Sequence, residues 1–251
     1  ALSQIAMAGV GLGMAGREIG MASVRRVGRQ ILNPEALKAS VALNGELMVR
    51  TFALISTFAA FTNISSTLGT VVLSSNAVLL QVIALASYFI DGLAFATESL
   101  VGVLSVQGQA KSLQQLLRVA GASSFIIGVM FSLAFMMAPE TLFQLLTNHR
   151  ELLDRIGEYT PWLLPVLGFG SVAYFLDGYF IGLTAGRLLR ISAIAAATLG
   201  FAPMAMAAWF FRSAHLLWLA LTLFMAIRAI TLSIQVPKTL QQVSLSVSLA
   251  E

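Results

Sequence analysis

The chain has 251 residues, of which 58% are hydrophobic and only 10% are charged, and its mean hydropathy is +0.86. Soluble domains carry roughly 25% charged residues, so this composition excludes a water-soluble globular fold. The absence of cysteine excludes disulfides, thiolate metal sites, iron–sulfur clusters and a cysteine nucleophile. The net charge of +4 comes from basic residues between apolar runs, which indicates membrane orientation rather than nucleic-acid binding.

The first segment is apolar from residue 2 to residue 15 but shorter than the ~20 residues that cross a bilayer. It lacks the basic start and the cleavage site of a signal peptide. Because the sequence begins with Ala1, we interpret residues 1–16 as the end of a preceding transmembrane helix in a longer protein. Residues 17–50 are polar, and we interpret them as a linker and the best candidate for a domain boundary. This segment carries the basic residues Arg17, Arg25, Arg26, Arg29, Lys38 and Arg50.

Six apolar runs follow, each long enough to cross a bilayer. Every peptide group in lipid must be hydrogen-bonded within its own segment, so each run is predicted to be a helix. The predicted spans are 51–69, 75–104, 116–138, 159–183, 189–211 and 215–235. The fold class is therefore an all-α polytopic membrane protein, with a six-helix bundle over 51–235. Pro237 is expected to end the last helix soon afterwards, leaving 236–251 as a cytoplasmic tail.

The positions of the basic residues predict the orientation of the bundle. Alternating the connections from side to side places twelve of the fifteen basic residues on one side. These are the six linker residues together with Lys111, Arg118, Arg187, Arg190, Arg228 and Lys238. By the positive-inside tendency this side is cytoplasmic, so both ends of the bundle lie inside and the loop 139–158 lies outside a plasma (inner) membrane.

Three acidic residues lie within predicted spans, where an ionised side chain is costly. Asp91 and Glu98 are in the second span and Asp177 is in the fourth. Such residues usually face a bundle interior or a water-filled path, so they are the candidate ion- or proton-binding residues. Asp91 and Glu98 are two helical turns apart and share a face, about 10 Å from each other along the axis. Ser87 extends the same polar stripe by one turn.

A short repeat links two of these acids. The segment Tyr88–Gly92 (YFIDG) recurs as Tyr174–Gly178 (YFLDG), at a similar predicted depth. The repeat is either a true duplication or a coincidence of an apolar, aromatic composition, but in both cases the two carboxylates could converge on one cavity. The glycines at 178, 182 and 186 form a small-residue ridge that favours close helix packing.

Arg50 is predicted to be the charge partner of one acid in the second span. Positions equally far from the connection near residue 72 lie at similar depth, and Arg50 corresponds to residue 94, between Asp91 and Glu98. An arginine pair would keep its acid ionised and leave the other acid, or Asp177, as the better ion site. In the alternative, Arg50 extends to the membrane surface or pairs with Glu46.

Catalytic and metal-binding motifs are absent from the sequence. There is no His-Glu-x-x-His pair, no Gly-x-Ser-x-Gly elbow and no phosphate-binding glycine loop, and His149 and His215 lack metal-ligand spacing. The chain is therefore predicted to be neither an enzyme nor a binder of a resident cofactor. The alternative of an intramembrane enzyme would need all three acids around one closed water pocket.

The segments 50–54, 77–81, 88–102 and 176–184 together resemble the multidrug and toxic compound extrusion (MATE) transporters, in particular their DinF-like branch. The resemblance extends over most of 17–235. It implies twelve helices in two lobes, of which this chain would supply the end of helix six, a cytoplasmic inter-lobe linker and the C-terminal lobe. The N-terminal lobe would be its missing partner.

The resemblance also implies roles for particular residues. Asp177 resembles the tenth-helix acid implicated in cation binding in a sister branch, and Asp91 and Glu98 match the eighth helix of the DinF-like branch. The seventh-helix acid of the sister branch has no equivalent, since the first span here offers only Asn63 near its centre. The candidate polar residues of a cavity are Asn63, Gln81 and Ser87.

The function that follows is secondary active export of amphipathic, often cationic, organic compounds, coupled to H⁺ or Na⁺. The expected partners are the lipid bilayer and small organic substrates, with no nucleic acid. Flipping of lipids or lipid-linked precursors is the close alternative, and a structural helper subunit is another. A cavity open laterally and lined by cations would favour the flippase, whereas an acidic, aromatic cavity would favour drug export.

Overall fold

The computed structural model describes residues 9–10, 34–144 and 150–248. The chain divides into two compact units, Ala1–Gly45 and Glu46–Glu251, and the second contains the six-helix bundle. The α-helices are α1 Pro34–Thr67, α2 Thr70–Val106, α3 Ala110–Met137, α4 Pro139–Gln144, α5 Arg150–Tyr159, α6 Leu163–Gly182, α7 Gly186–Ala195, α8 Ala202–Phe211 and α9 Ala214–Ser248. A 3₁₀ turn, Thr160–Trp162, joins α5 to α6, and a π-helix, Ala196–Phe201, joins α7 to α8.

The prediction of six spans in an all-α protein is confirmed. Six helical segments are long and apolar enough to cross a membrane, and the described residues include no β-strand. The π-helix precedes Pro203, which cannot donate a backbone hydrogen bond to the preceding turn, so the fifth span changes its helical pitch there.

The first span begins earlier than the apolar pattern indicates. Helix α1 starts at Pro34, so Arg50 lies in the middle of a helix rather than at the end of a linker. The interpretations of residues 1–16 and 17–33 fall almost entirely outside the described residues.

The central element is α6, which packs against α2, α3 and α9. A Cβ added to Gly178 would collide with the backbone of Ala94 in α2, and one added to Gly182 would lie 2.6 Å from the carbonyl oxygen of Glu98. Nearer the start of α6, a Cβ on Gly128 of α3 would lie 2.8 Å from the carbonyl oxygen of Leu167. The predicted packing role of Gly178 and Gly182 is thus correct, because only a hydrogen fits between the two backbones.

The prediction that Pro237 would soon end the last helix is wrong, since α9 continues to Ser248 with Pro237 inside it. The segment after the proline is anchored by tertiary contacts that the sequence pattern did not reveal. The hydroxyl of Thr239 is hydrogen-bonded to that of Tyr179 at 2.9 Å, and Val243 is buried in the apolar core. This packing offsets the loss of one backbone hydrogen bond at the proline.

Helix α1 lies at the periphery and is tied to the bundle near its end at Thr67. Phe61 is fully buried and makes an edge-to-face contact with Trp218 of α9, at 5.1 Å between ring centroids. Trp218 donates to the side-chain oxygen of Asn76 in α2 at 3.0 Å, and the amide of Asn76 donates to the hydroxyl of Ser65 at 2.9 Å. This buried chain of hydrogen bonds joins α9, α2 and α1.

The buried apolar side chains form two clusters. The first includes Phe61, Leu167, Trp218 and Met225, and the second includes Phe175, Tyr179, Leu189 and Leu232. Along α9, Arg228 lies between Met225 of the first cluster and Leu232 of the second. The charged residues described next therefore occupy the boundary between two apolar regions.

Candidate functional site

Asp177 of α6 is buried, with 3% of its surface exposed, and forms ion pairs with two arginines. Arg50 of α1 and Arg228 of α9 both donate to its Oδ2 atom. Two positive charges surround one negative charge, so the triad of Arg50, Asp177 and Arg228 carries a net charge of +1. A further cation at Asp177 is opposed by this surplus.

Arg228 is the most enclosed charge in the described part of the bundle, with 1% of its surface exposed. Its guanidinium carbon lies 5.8 Å from the ring centroid of Tyr174 and 5.7 Å from that of Phe224. Aromatic faces and an ion pair are what an arginine needs inside an apolar protein. The prediction that Arg228 contributes to the cytoplasmic surface charge is therefore wrong, because the residue lies inside the span and its charge points into the bundle.

The predicted partner of Arg50 is also wrong, since its ion pair is with Asp177 rather than with Asp91 or Glu98. The depth argument placed Arg50 at the right level, since the next residue, Thr51, lines the same cleft as Asp91. Depth does not determine which neighbouring helix an arginine faces, however, and α6 presents its acid to Arg50 more directly than α2 does. The alternative partner, Glu46, pairs instead with Arg190 of α7 at 2.9 Å.

Asp91 is half-buried and lines a cleft of about 410 Å³ between α1 and α2. Across the cleft lie Thr51 and Phe58 of α1, and Tyr174 of α6 also lines it. The lining residues within the described ranges are Thr51, Leu54, Ile55, Phe58, Leu80, Ile83, Ala84, Ser87, Tyr88, Asp91 and Tyr174. Asp91 is the one ionisable acid among these residues, and none of them is basic.

The predicted cavity residues lie along one groove between α1 and α2. Ser87 lines the cleft of Asp91, Gln81 lines a neighbouring pocket of about 240 Å³, and Asn63 lines a third of about 780 Å³. Neighbouring pockets share lining residues, Leu80 and Ala84 for the first two and Thr62 and Leu73 for the last two. The structure thus brings the three polar residues to one surface but places them in separate compartments.

Glu98 does not join this site. Its side chain is half-buried, it forms none of the ion pairs found in the described ranges, and it is not among the residues of the cleft. The two-turn spacing from Asp91 is present, but the backbone of α2 at Glu98 is the part that contacts Gly182 of α6.

The two copies of the YFxDG repeat have different environments. In the α6 copy Asp177 is buried and Gly178 abuts the α2 backbone, whereas in the α2 copy Asp91 is half-buried and a Cβ on Gly92 would meet no atom within 4 Å. The two carboxylates do not converge on one cavity, since Asp177 is not among the residues that line the cleft of Asp91. One is enclosed by arginines and the other is open to the cleft.

Arg228 is the residue of this site that sequence reasoning missed. The signal was present, because an arginine inside the apolar run 215–235 is as costly in hydrocarbon as the acids that were singled out. Counting it with the surface charges discarded that signal.

His215 forms polar contacts near the start of α9, away from the triad, whose Arg228 lies near the middle of that helix. It accepts a hydrogen bond from Nε1 of Trp162 at 3.2 Å and pairs with Glu158 at 3.2 Å, and Glu158 also pairs with Arg155 at 2.9 Å. Among the described residues no group of histidines and acids could hold a metal ion. His149 lies outside them.

The sequence is similar to a known protein family and to a characterised bacterial protein. The MatE family model matches residues 47–206. DNA damage-inducible protein F of Escherichia coli (strain K12) is 34% identical over 196 residues, which cover 77% of this chain and 42% of that protein. The chain therefore spans less than half the length of this relative.

Two solved structures share the fold. The Vibrio cholerae MATE transporter VcmN in the bent form matches with a TM-score of 0.80 at 15% identity, over 94% of this chain and 54% of that one. The eukaryotic MATE transporter AtDTX14 matches with a TM-score of 0.69 at 16% identity, over 91% and 51%. At these identities the two likenesses show the fold. Members of the matched family are transporters rather than enzymes, in agreement with the prediction of a non-enzymatic chain. Since the family model covers more than half of the sequence, the chain belongs to the MATE family of multi-pass membrane transporters.

Proposed function

We propose that the protein is a secondary transporter that exports amphipathic organic cations across the plasma membrane, and that this chain supplies its C-terminal lobe. An N-terminal lobe would complete the transport path, and both ends of the six-helix bundle would lie in the cytoplasm. Family membership supports a transport function in general. The proposed substrate class, organic cations, rests on the residues that line the cleft of Asp91.

The observation that carries the proposal is the composition of the cleft around Asp91. A carboxylate is combined there with the rings of Phe58, Tyr88 and Tyr174 and with the hydroxyl of Ser87. Aromatic faces and a carboxylate attract an organic cation, and a mostly apolar lining holds its hydrophobic body. The same arrangement would hold a neutral or anionic compound less well.

Asp91 is also the acid best placed to exchange a coupling ion, H⁺ or Na⁺. Asp177 is occupied by two arginines, and Glu98 lies away from the cleft. An acid reached from the cleft can give up its ion when the substrate arrives. Export follows if the ion and the substrate favour different conformations of the transporter.

The alternatives are less well supported by the same cleft. A flippase was expected to line its cavity with cations, but Arg50 and Arg228 are engaged by Asp177 and no lining residue is basic. An intramembrane enzyme was expected to gather all three acids in one pocket, and Glu98 does not line the cleft.

The test is transport of tetraphenylphosphonium by the full-length protein in proteoliposomes, with an imposed proton or sodium gradient. We expect Asp91→Asn to slow gradient-driven transport by about tenfold or more, within the range of typical coupling energies. Glu158→Gln is the matched control, because it neutralises an exposed acid far from the cleft. Whichever gradient drives transport identifies the coupling ion.

Unchanged transport by Asp91→Asn would refute the assignment of this acid. Loss of transport in Asp177→Asn would not be diagnostic, because that change leaves two enclosed arginines without their partner and is expected to destabilise the bundle. Asp91 can be neutralised without orphaning a buried cation.

A further inference from the structure

We propose that Arg50 is a specificity-determining residue whose guanidinium competes with a cationic ligand for Asp91. The inference rests on the proposed function, since it takes Asp91 to be the acceptor of the cation. It assigns to Arg50 a control over charge selectivity that is separate from its ion pair with Asp177.

The two arginines of the triad are held very differently. Arg228 is 1% exposed and has aromatic rings of Tyr174 and Phe224 beside its guanidinium. The side chain of Arg50 is 17% exposed and belongs to α1, the peripheral helix that borders the groove. Arg228 is thus the fixed counterion of Asp177, and Arg50 is the one with room to move.

Arg50 lies next to the cleft of Asp91. Its guanidinium contacts Asp177, and the next residue, Thr51, lines the cleft that Asp91 lines from the other side. Since Arg228 can satisfy Asp177 by itself, Arg50 is the cation that Asp91 can attract. The two acids and two arginines together sum to zero charge.

A cationic ligand at Asp91 therefore raises the net charge of the two acids and two arginines from zero to +1. Arg50 repels this ligand. A neutral ligand of the same shape meets no such penalty. Removing the charge of Arg50 should tighten the binding of cations selectively, whereas a merely structural role of Arg50 would affect both kinds of ligand in the same direction.

The experiment measures the Kd of the full-length protein for tetraphenylphosphonium and for neutral triphenylphosphine oxide. Arg50→Gln is expected to bind the cation about tenfold more tightly, the size of effect that one nearby charge has on a carboxylate, with the neutral compound unchanged. Arg50→Lys retains the charge and should behave like the wild type. Arg190→Gln is the matched control, because it removes a positive charge that pairs with α1 but lies outside the cleft lining.

The double variant Arg50→Gln/Asp91→Asn shows which carboxylate accepts the cation when Arg50 is neutralised. The gain in affinity must disappear in it, and a gain that persists means that Asp177 has become the acceptor, which overturns the proposal. An equal gain in Arg190→Gln would show a long-range charge effect and would overturn it too.

The outcomes also separate this inference from the proposed function. If Asp91→Asn alone leaves cation binding unchanged, both fail. If Asp91→Asn weakens it but Arg50→Gln does not strengthen it, only the role of Arg50 fails.

Should Arg50→Gln not fold, Thr51→Lys provides the opposite test, because it adds a positive charge at an exposed position of the cleft instead of removing one. It places a fixed cation opposite Asp91 and should weaken tetraphenylphosphonium binding alone. No loss of affinity there would overturn the competition.

Discussion

At the scale of single residues, the triad of Arg50, Asp177 and Arg228 is the feature with the greatest energetic consequence. Enclosing these charges costs solvation that their mutual attraction recovers only while Asp177 is present, because it is the one acid that pairs with both arginines. Such a group is a weak source of net stability, but losing its acid leaves two enclosed positive charges unpaired.

We therefore expect Asp177→Asn to destabilise the full-length protein by about 3–5 kcal/mol, because it leaves two arginines without their acid. The measurement is the midpoint of unfolding in detergent. Glu158→Gln breaks a solvent-exposed pair with Arg155 and should change the midpoint little. Equal midpoints for the two variants would mean that the triad does not form.

The glycines of the repeated motif provide a second test at this scale. Gly178→Ala should lower the unfolding midpoint strongly, because its methyl group would overlap the backbone at Ala94. Gly92→Ala meets no neighbour within 4 Å and should be neutral or stabilising by up to about 1 kcal/mol, the helix-propensity difference. The same thermal assay compares the two, and a similar loss in both would contradict the packing of α2 on α6.

At the scale of the helices, α1 is attached to the bundle on both sides of the Asp91 cleft. On one side is the neutral hydrogen-bond chain through Ser65, Asn76 and Trp218, and on the other are the ion pairs of Arg50 with Asp177 and of Glu46 with Arg190. The neutral attachment has no titratable group and should be permanent. The charged one responds to what binds beside it.

The neutral attachment can be tested with a conservative change. Trp218→Phe keeps an aromatic ring but leaves the buried side-chain oxygen of Asn76 without its donor, so we expect a loss of about 1–3 kcal/mol in unfolding free energy. Trp209→Phe alters an exposed tryptophan of α8 and is the control. If both variants unfold together with the wild type, the hydrogen bond contributes nothing.

At the scale of the whole molecule, the orientation of the bundle remains a prediction from its basic residues. In a cysteine-free background, a cysteine at Arg187 should be protected from an impermeant thiol reagent in intact cells, and one at Glu151 should react. Lysed cells provide the control for reactivity. The reverse pattern would invert the topology and place the basic connections outside.

The sequence by itself determined the membrane class, the number of spans and the family resemblance, because in lipid a long apolar run can satisfy its backbone only as a helix. It also identified Asp91 and Asp177, since the cost of a charge at membrane depth does not depend on which neighbours surround it.

Only the tertiary structure decided which charges meet. Depth follows from counting residues along a helix, but the facing direction depends on how close two backbones can approach, and Gly178 brings α6 against α2 while Arg50 reaches across to α6. The same packing enclosed Arg228 in the interior and held α9 together past Pro237. Partner choice and helix ends are set by contacts between segments distant in sequence, and no local pattern carries them.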